Sequence, residues 1–269
     1  MSVPSINAAV LQLRVTMDIA ANMAALERLL APLPAHTLAV APEGVLSGYL
    51  PEPNFVTRID QPGSQAAIDR AAQLCRDKQI HLVAGVCIHN NSAWRNTSFY
   101  FGPRGERHRY DKINLAQSER GTFTPGDTLP VFDIEIGGAP IRLGVQMCRE
   151  IRYPEQWRAL ATQGAQIIAY PNNAIGSKTG DALWRAHLIS RAAETQRFIL
   201  GANNAAPDQT CPTMIVAPSG AILAEAAIDA EATALAQLQL NDVSDWVLSQ
   251  ARDDVVVVTV LDPSAPADR

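Results

Sequence analysis

The sequence predicts an α/β protein built from large mixed β-sheets covered by helices. Two observations carry this: strand-like and helix-like segments alternate through the first and middle thirds, and hairpin signals replace that alternation elsewhere. A third concerns domain count. No linker, repeat or low-complexity block divides the 269 residues, of which 47% are hydrophobic and 18% charged, so a single large core is expected. The expected domain spans 1–262, followed by a disordered Pro/Ala tail over 263–269.

In chain order, residues 6–14 mix β-branched and apolar side chains as a strand does, and 19–30 carry apolar residues three and four apart, as a helix does. A second strand over 38–41 runs into Pro42, which ends regular pairing. Glu43 is thereby left in a loop at a strand's carboxyl end, where α/β proteins often place their chemistry. A helix over 66–78 precedes a buried strand over 81–89 and its neighbour over 97–101, joined across Asn90-Asn-Ser92. Gly102-Pro-Arg-Gly105 is a tight turn, and 113–129 is irregular. Strands over 131–136 and 141–147 flank Gly137-Gly138 and lead directly into Cys148.

Pro154 opens a helix over 155–163, Gly164 closes it, and a strand over 166–170 follows, so that strand, cysteine, helix and strand repeat a βαβ logic. Asp181 caps a long helix ending near Gln196. Strands over 198–203, 214–217, 222–225 and 232–238 come next, the middle two joined at Pro218-Ser-Gly220. A helix over 243–251 and an apolar run over 255–260 complete the pattern.

The net charge of -5 provides no basic field to attract phosphates, which argues against nucleic acid or an anionic membrane and for a small molecule as partner. The start, Met1-Ser-Val-Pro-Ser5, has no basic region before an apolar stretch, and no segment approaches the ~18 apolar residues of a membrane span, so a cytoplasmic protein is expected. Cys75, Cys87, Cys148 and Cys211 lack the paired spacing of a zinc site and are expected as thiols. The histidines at 36, 81, 89, 108 and 187 form no close ligand pair, so no metal site is expected.

A cysteine attacks a carbonyl as thiolate and needs a base or positive charge nearby. Cys148 ends an apolar strand and is followed at once by Arg149-Glu-Ile-Arg-Tyr-Pro-Glu155, a polar setting unlike that of a packed core cysteine. Alone it reads equally as a small buried hydrophobe, Glu43 as a loop carboxylate and Lys112 as a solvated charge. Their joint appearance in three phrases changes the reading: Ala41-Pro-Glu-Gly44 with Ser47-Gly-Tyr49, then Tyr110-Asp-Lys-Ile-Asn-Leu115, then Met147-Cys-Arg-Glu-Ile-Arg-Tyr-Pro-Glu155.

These phrases resemble the nitrilase superfamily of carbon–nitrogen hydrolases, whose Glu-Lys-Cys triad lies in that chain order. Asn96-Thr97, Glu119 with Phe123-Thr-Pro-Gly-Asp127, Arg191-Ala-Ala-Glu194 and Ala217-Pro-Ser-Gly220 extend the resemblance over nearly the whole chain. It implies a four-layer α-β-β-α sandwich of two mixed sheets flanked by helices. It also implies hydrolysis of a small amide-like substrate, amide or N-carbamoyl ahead of nitrile, through a cysteine thioester and without cofactor. By position, Cys148 takes the role of nucleophile, Glu43 of general base and acid, and Lys112 of oxyanion donor together with the N–H of Arg149. Glu119 takes that of the second glutamate, which holds the lysine.

Where the family commonly carries an aromatic residue and then Asp after the cysteine, this chain has Arg149 and Glu150. Arg149 suits either a substrate carboxylate or an ion pair with a neighbouring carboxylate. Asn172 and Asn173 correspond to the family's pocket wall and suit turn formation equally, while Tyr49 and Trp184 are candidate lining residues that suit plain core as well. The resemblance further implies a homodimer joined through the helices starting near Pro154 and Asp181, with Trp157 and Ile189 as candidate outward residues. Two rivals stay open on the same fold: an acyltransferase using the same acyl-enzyme, and a catalytically silent binding protein. A serine hydrolase and a dinucleotide enzyme are set aside, because neither Gly-x-Ser-x-Gly nor Gly-x-Gly-x-x-Gly after the first strand is present.

Overall fold

The computed structural model describes residues 5–52, 54–90, 93–176, 181–227 and 230–250. The expected apolar run over 255–260 and the tail lie outside them, as do Asn91 and Ser92 of the expected turn. Strands β1 (Ser5–Gln12), β2 (Thr37–Val40), β3 (His81–Asn90), β4 (Ala93–Phe101), β5 (Arg107–Asp111) and β12 (Ala232–Gln239) form one six-stranded sheet in the order β12-β1-β2-β3-β4-β5. Strands β6 (Val131–Ile136), β7 (Ala139–Val145), β8 (Ile167–Pro171), β9 (Phe198–Ala202), β10 (Met214–Val216) and β11 (Ile222–Glu225) form the other, in the order β11-β10-β9-β8-β7-β6. Both sheets are mixed: β1, β2 and β3 run parallel, as do β7, β8 and β9, and the outer pairings are antiparallel.

Strand alternation explains the layering. In β1, Ala8 and Val10 enter the core between the sheets, whereas Ala9 and Leu11 face helices α1 (Ile19–Leu30) and α2 (Gln61–Lys78). In β8, Ile167 and Ala169 enter the same central core, while Ile168 and Tyr170 face helices α3 (Pro154–Thr162) and α4 (Asp181–Thr195). Strands apolar on both faces therefore demand cover on both, and the outcome is an α-β-β-α sandwich. Among the described residues no helix is long and apolar enough to cross a membrane.

Several element boundaries differ from expectation for local reasons. Helix α2 begins at Gln61 rather than near 66, because Asp60 caps it by accepting from the Gly63 N–H at 3.0 Å and Pro62 suits a first turn; Gln-Pro-Gly-Ser reads as a turn only in isolation. Strand β5 has no strand signal in its sequence: Arg-His-Arg-Tyr-Asp is polar, and among the described residues it pairs with β4 alone, at the sheet edge. The helix expected over 243–251 shrinks to α5 (Trp246–Ser249) after a 3-10 turn at Leu240–Asp242. Trp157, expected to face outward, is fully buried, its indole N–H donating to the Glu150 carbonyl at 2.9 Å. Ile189 is half-buried against the core beneath α3 and α4.

Candidate active site

The loops that follow the parallel strands converge at one end of the sandwich, a topological position that repeatedly hosts ligands in α/β folds. Glu43 follows β2. Its N–H donates to the Asn172 carbonyl at 3.2 Å, so the loop after β2 in one sheet is tied to the loop after β8 in the other. Gly85 on β3 permits the close approach of this loop: a Cβ there would stand 2.6 Å from both the Glu43 Cα and the Gly44 nitrogen. Lys112 follows β5, its N–H donating to the Asn96 carbonyl at 2.9 Å.

Glu43, Lys112 and Glu119 meet in a buried cluster. The Lys112 ammonium donates to Glu43 Oε1 at 2.8 Å and to Glu119 Oε1 at 2.9 Å, with all three side chains at most 1% exposed. Asn96 Nδ2 donates to the same two oxygens at 2.7 and 2.6 Å, and the Tyr49 hydroxyl to Glu119 Oε1 at 2.9 Å. An ammonium has three N–H donors, so one on Lys112 is left over from these two pairs. Glu43 Oε2 is buried without a hydrogen-bond partner among the described residues.

Burial shapes the titration of these groups. It opposes the charge on Lys112, yet Glu119 and Glu43 outweigh it and hold the ammonium well above its ordinary range. For Glu119 burial is likewise outweighed, by Lys112 together with the Ala116 N–H and Asn96, and its carboxyl titrates below the usual value. Glu43 goes the other way: burial leads, the Glu119 charge adds to it, and Lys112 only partly offsets them, so this carboxyl is raised. Burial and the Glu43 charge raise the Cys148 thiol as well, while Lys112 opposes the rise.

Cys148 begins a 3-10 turn, Cys148–Arg152, immediately beyond β7, with φ at 42°. That left-handed conformation costs a non-glycine residue of order 1–3 kcal/mol and persists only where surroundings hold it. Here the Tyr170 hydroxyl donates to the Cys148 carbonyl, Arg191 Nε donates to the Ile151 carbonyl at 2.9 Å, and the Glu150 carboxylate accepts the Met147 N–H at 2.7 Å. The thiol lies 3.9 Å from the Asn173 carbonyl, and Cys148 retains 8% exposure where Glu43 has none. Among the described residues no acceptor takes the Arg149 N–H.

Asn173 Oδ1 accepts from Gln209 at 2.9 Å and from Asn204 at 3.3 Å, and among the described residues no hydrogen-bond partner takes its own amide nitrogen or either polar atom of the Asn172 side chain. A cavity of about 380 Å³, lined in part by Thr16, Tyr49, Asn204 and Gln209, adjoins this wall. Tyr49, Asn172 and Asn173 are thus gathered around the cluster. Of the two roles open to Arg149, the ion pair with a neighbouring carboxylate is not formed among the described residues: its Nε donates to the Tyr153 hydroxyl at 3.0 Å and its guanidinium lies over that ring. Trp184 packs half-buried on the helix side of the second sheet, with Ile151, Trp157 and Leu188.

Asn96 and Glu150 organise the site without a sequence signal of that role. Asn96 belongs to the matched phrase Asn96-Thr97 and Glu150 to the departure after Cys148; each is a polar residue preceded by an arginine, which local sequence does not separate from a solvated turn residue.

A buried acid, amine and thiol at the strand ends of an α-β-β-α sandwich define a carbon–nitrogen hydrolase. The profile of the carbon-nitrogen hydrolase family matches residues 7–247, and the chain belongs to that family, within the nitrilase superfamily. A bifunctional nitrilase/nitrile hydratase of Lupinus angustifolius is 28% identical, covering 98% of this chain and 88% of its own length. An omega-amidase of Homo sapiens is 27% identical, covering 80% and 82%. Among solved structures, an amidase from Nesterenkonia sp. superposes with a TM-score of 0.79 at 23% identity, covering 94% of this chain and 95% of its own, which shows the shared fold.

Proposed function

We propose that the protein hydrolyses a small amide or N-carbamoyl compound in the cytoplasm through a thioester on Cys148. The observation that carries this is the unpartnered, buried Oε2 of Glu43 in a cluster whose lysine keeps one N–H in reserve. Because burial raises the Cys148 thiol, the sulfur rests protonated, and the thiolate forms only as it attacks, its proton passing to the ionised form of Glu43. Glu43 takes the thiol proton while sulfur adds to the substrate carbonyl carbon. The oxyanion is held by Lys112 and by the Arg149 N–H, each worth roughly 3 kcal/mol in the transition state.

Glu43 then passes its proton to the leaving nitrogen, the C–N bond breaks, and ammonia or an amine departs. In the second half Glu43 deprotonates water, which adds to the thioester; the C–S bond breaks, the sulfur regains a proton, and the acid leaves. Glu119 holds the lysine, and Tyr49, Asn172 and Asn173 wall the substrate. Relatives named amidase and omega-amidase support the amide reading, while the nitrilase names make nitriles part of the test. The same reading takes the protein as a homodimer joined through α3 and α4, where Leu183 is 55% exposed.

The test is intact mass spectrometry of the wild-type enzyme, acid-quenched during incubation with saturating propionamide, glutaramate, N-carbamoylglycine and propionitrile. An acyl mass confined to the peptide containing Cys148 is the expected result; adducts spread over Cys75, Cys87 and Cys211, or none with any compound, would end this reading. The titration of Glu43 has a kinetic consequence. Base catalysis needs its carboxylate, whose pKa lies above the ordinary value of 4.5, so kcat/KM falls as pH drops through a midpoint higher than 4.5. A midpoint at or below that of a free glutamate would remove Glu43 from the base role.

A further inference from the structure

We propose that Glu150 is a positioning residue for this reaction, its carboxylate setting the distance between the lysine loop and the nucleophile turn. The inference rests on the reading of Cys148 and Lys112 given above and adds to it what holds them in register. Lys112 follows the edge strand β5 of one sheet and Cys148 follows β7 of the other. Among the described residues no backbone hydrogen bond joins these two loops.

Glu150 joins them instead. Its Oε1 accepts from the Tyr110 hydroxyl at 2.7 Å and from the N–H groups of Ile113 at 2.8 Å and Asn114 at 3.0 Å, bracketing Lys112 on both sides. Its Oε2 accepts the N–H of Met147, the residue before Cys148, at 2.7 Å. Its own backbone is fixed in turn, because the buried Trp157 indole donates to the Glu150 carbonyl at 2.9 Å. Gln146 Nε2 adds a weaker link to the Tyr110 hydroxyl at 3.2 Å. The side chain is fully buried, so water cannot replace any of these bonds.

Four donors converging on one side chain require acceptors on both of its oxygens, which a carboxylate supplies and a carboxamide does not. Glutamine at this position turns an NH2 group toward either the Met147 N–H or the three donors flanking Lys112, and one of the two loops must move. A shift of about 1 Å between reacting groups costs on the order of 100-fold in rate. Neither the substrate wall nor the cavity beside Tyr49 is lined by Glu150, so binding should be spared.

The experiment compares wild type, Glu150→Gln, Glu150→Asp and Tyr110→Phe on whichever of propionamide, glutaramate, N-carbamoylglycine or propionitrile the wild type turns over, with Cys148 alkylation by iodoacetamide measured alongside. Glu150→Gln is expected to lower kcat about 100-fold with KM within about threefold. Glu150→Asp, shorter but still a carboxylate, should recover kcat to within about tenfold of wild type, and Tyr110→Phe, which removes one donor of four, should lose about three- to tenfold. A Glu150→Gln enzyme whose folded fraction keeps wild-type kcat, or loses only thermal stability, overturns the proposal while leaving the Cys148 reading intact. If Glu150→Gln does not fold, unchanged kcat in Tyr110→Phe together with Glu150→Asp overturns it equally. A wild type that turns over none of the four compounds and shows no preferential alkylation at Cys148 overturns both.

Discussion

Cys148→Ala abolishes ammonia release from every substrate of the wild type, a loss of at least about 10⁵-fold, because no second nucleophile stands where the thiol does. The variant should stay folded. The deletion removes one buried atom, for which a cost of about 1–2 kcal/mol is typical, and alanine meets the same left-handed backbone conformation that cysteine already bears at φ 42°. The contacts that hold the turn, from Tyr170 to the Cys148 carbonyl and from Met147 to Glu150, do not involve the thiol. Circular dichroism and thermal melting separate the two effects. A Cys148→Ala protein that keeps its melting transition yet releases ammonia above a hundredth of the wild-type rate would rule out the thiol as nucleophile.

Lys112→Met should be nearly as severe, at roughly 10⁴-fold in kcat, because two losses coincide. One oxyanion donor disappears, typically 10²- to 10³-fold, and the charge that opposes protonation of Glu43 disappears with it. Without the ammonium, Glu43 and Glu119 face each other across buried space, already sharing donors from Asn96 at 2.7 and 2.6 Å. Two carboxylates so placed cannot both ionise, and at neutral pH a proton is retained between them. The acid limb of the rate profile should therefore move to higher pH, which distinguishes this variant from one that merely loses a donor. A kcat within tenfold of wild type, with the acid limb unmoved, would place the oxyanion elsewhere.

Most regular elements were readable locally because burial and spacing coincide in this chain. Strands over 81–89 and 166–170 are apolar on both faces, and only a sheet covered on both sides accommodates such segments. Where the signal failed, the cause was tertiary. Strand β5 owes its existence to pairing with β4, Thr97 opposite Asp111 through Phe101 opposite Arg107, and not to its own polar sequence. Trp157, a candidate outward residue of its helix, is instead fully buried, its indole N–H donating to the Glu150 carbonyl in the turn after Cys148.

The candidate site divides along the same line. The phrases around Glu43, Lys112, Glu119 and Cys148 make these residues candidates, as do those around Tyr49, Asn172 and Asn173, while Arg149 donates to the Tyr153 hydroxyl in the fold. Asn96 and Glu150 gained importance only once two sheets had been brought together. An asparagine on β4 becomes a bridge between two acids, and a glutamate after the cysteine becomes the joint between two loops.

Residue types and their local order indicate the layered α/β class and the strand ends that bear Glu43 and Cys148, and the phrases around Glu43, Lys112 and Cys148 make these the candidate acid, amine and thiol. Which of those groups touch, which oxygen stays free, and which carboxyl rises while its neighbour falls were decided only by the folded chain. The physical reason is that hydrophobic periodicity is a property of adjacent residues, whereas hydrogen bonds and the loss of water around a charge depend on residues such as Glu43 and Lys112, brought within 2.8 Å across 69 positions of sequence.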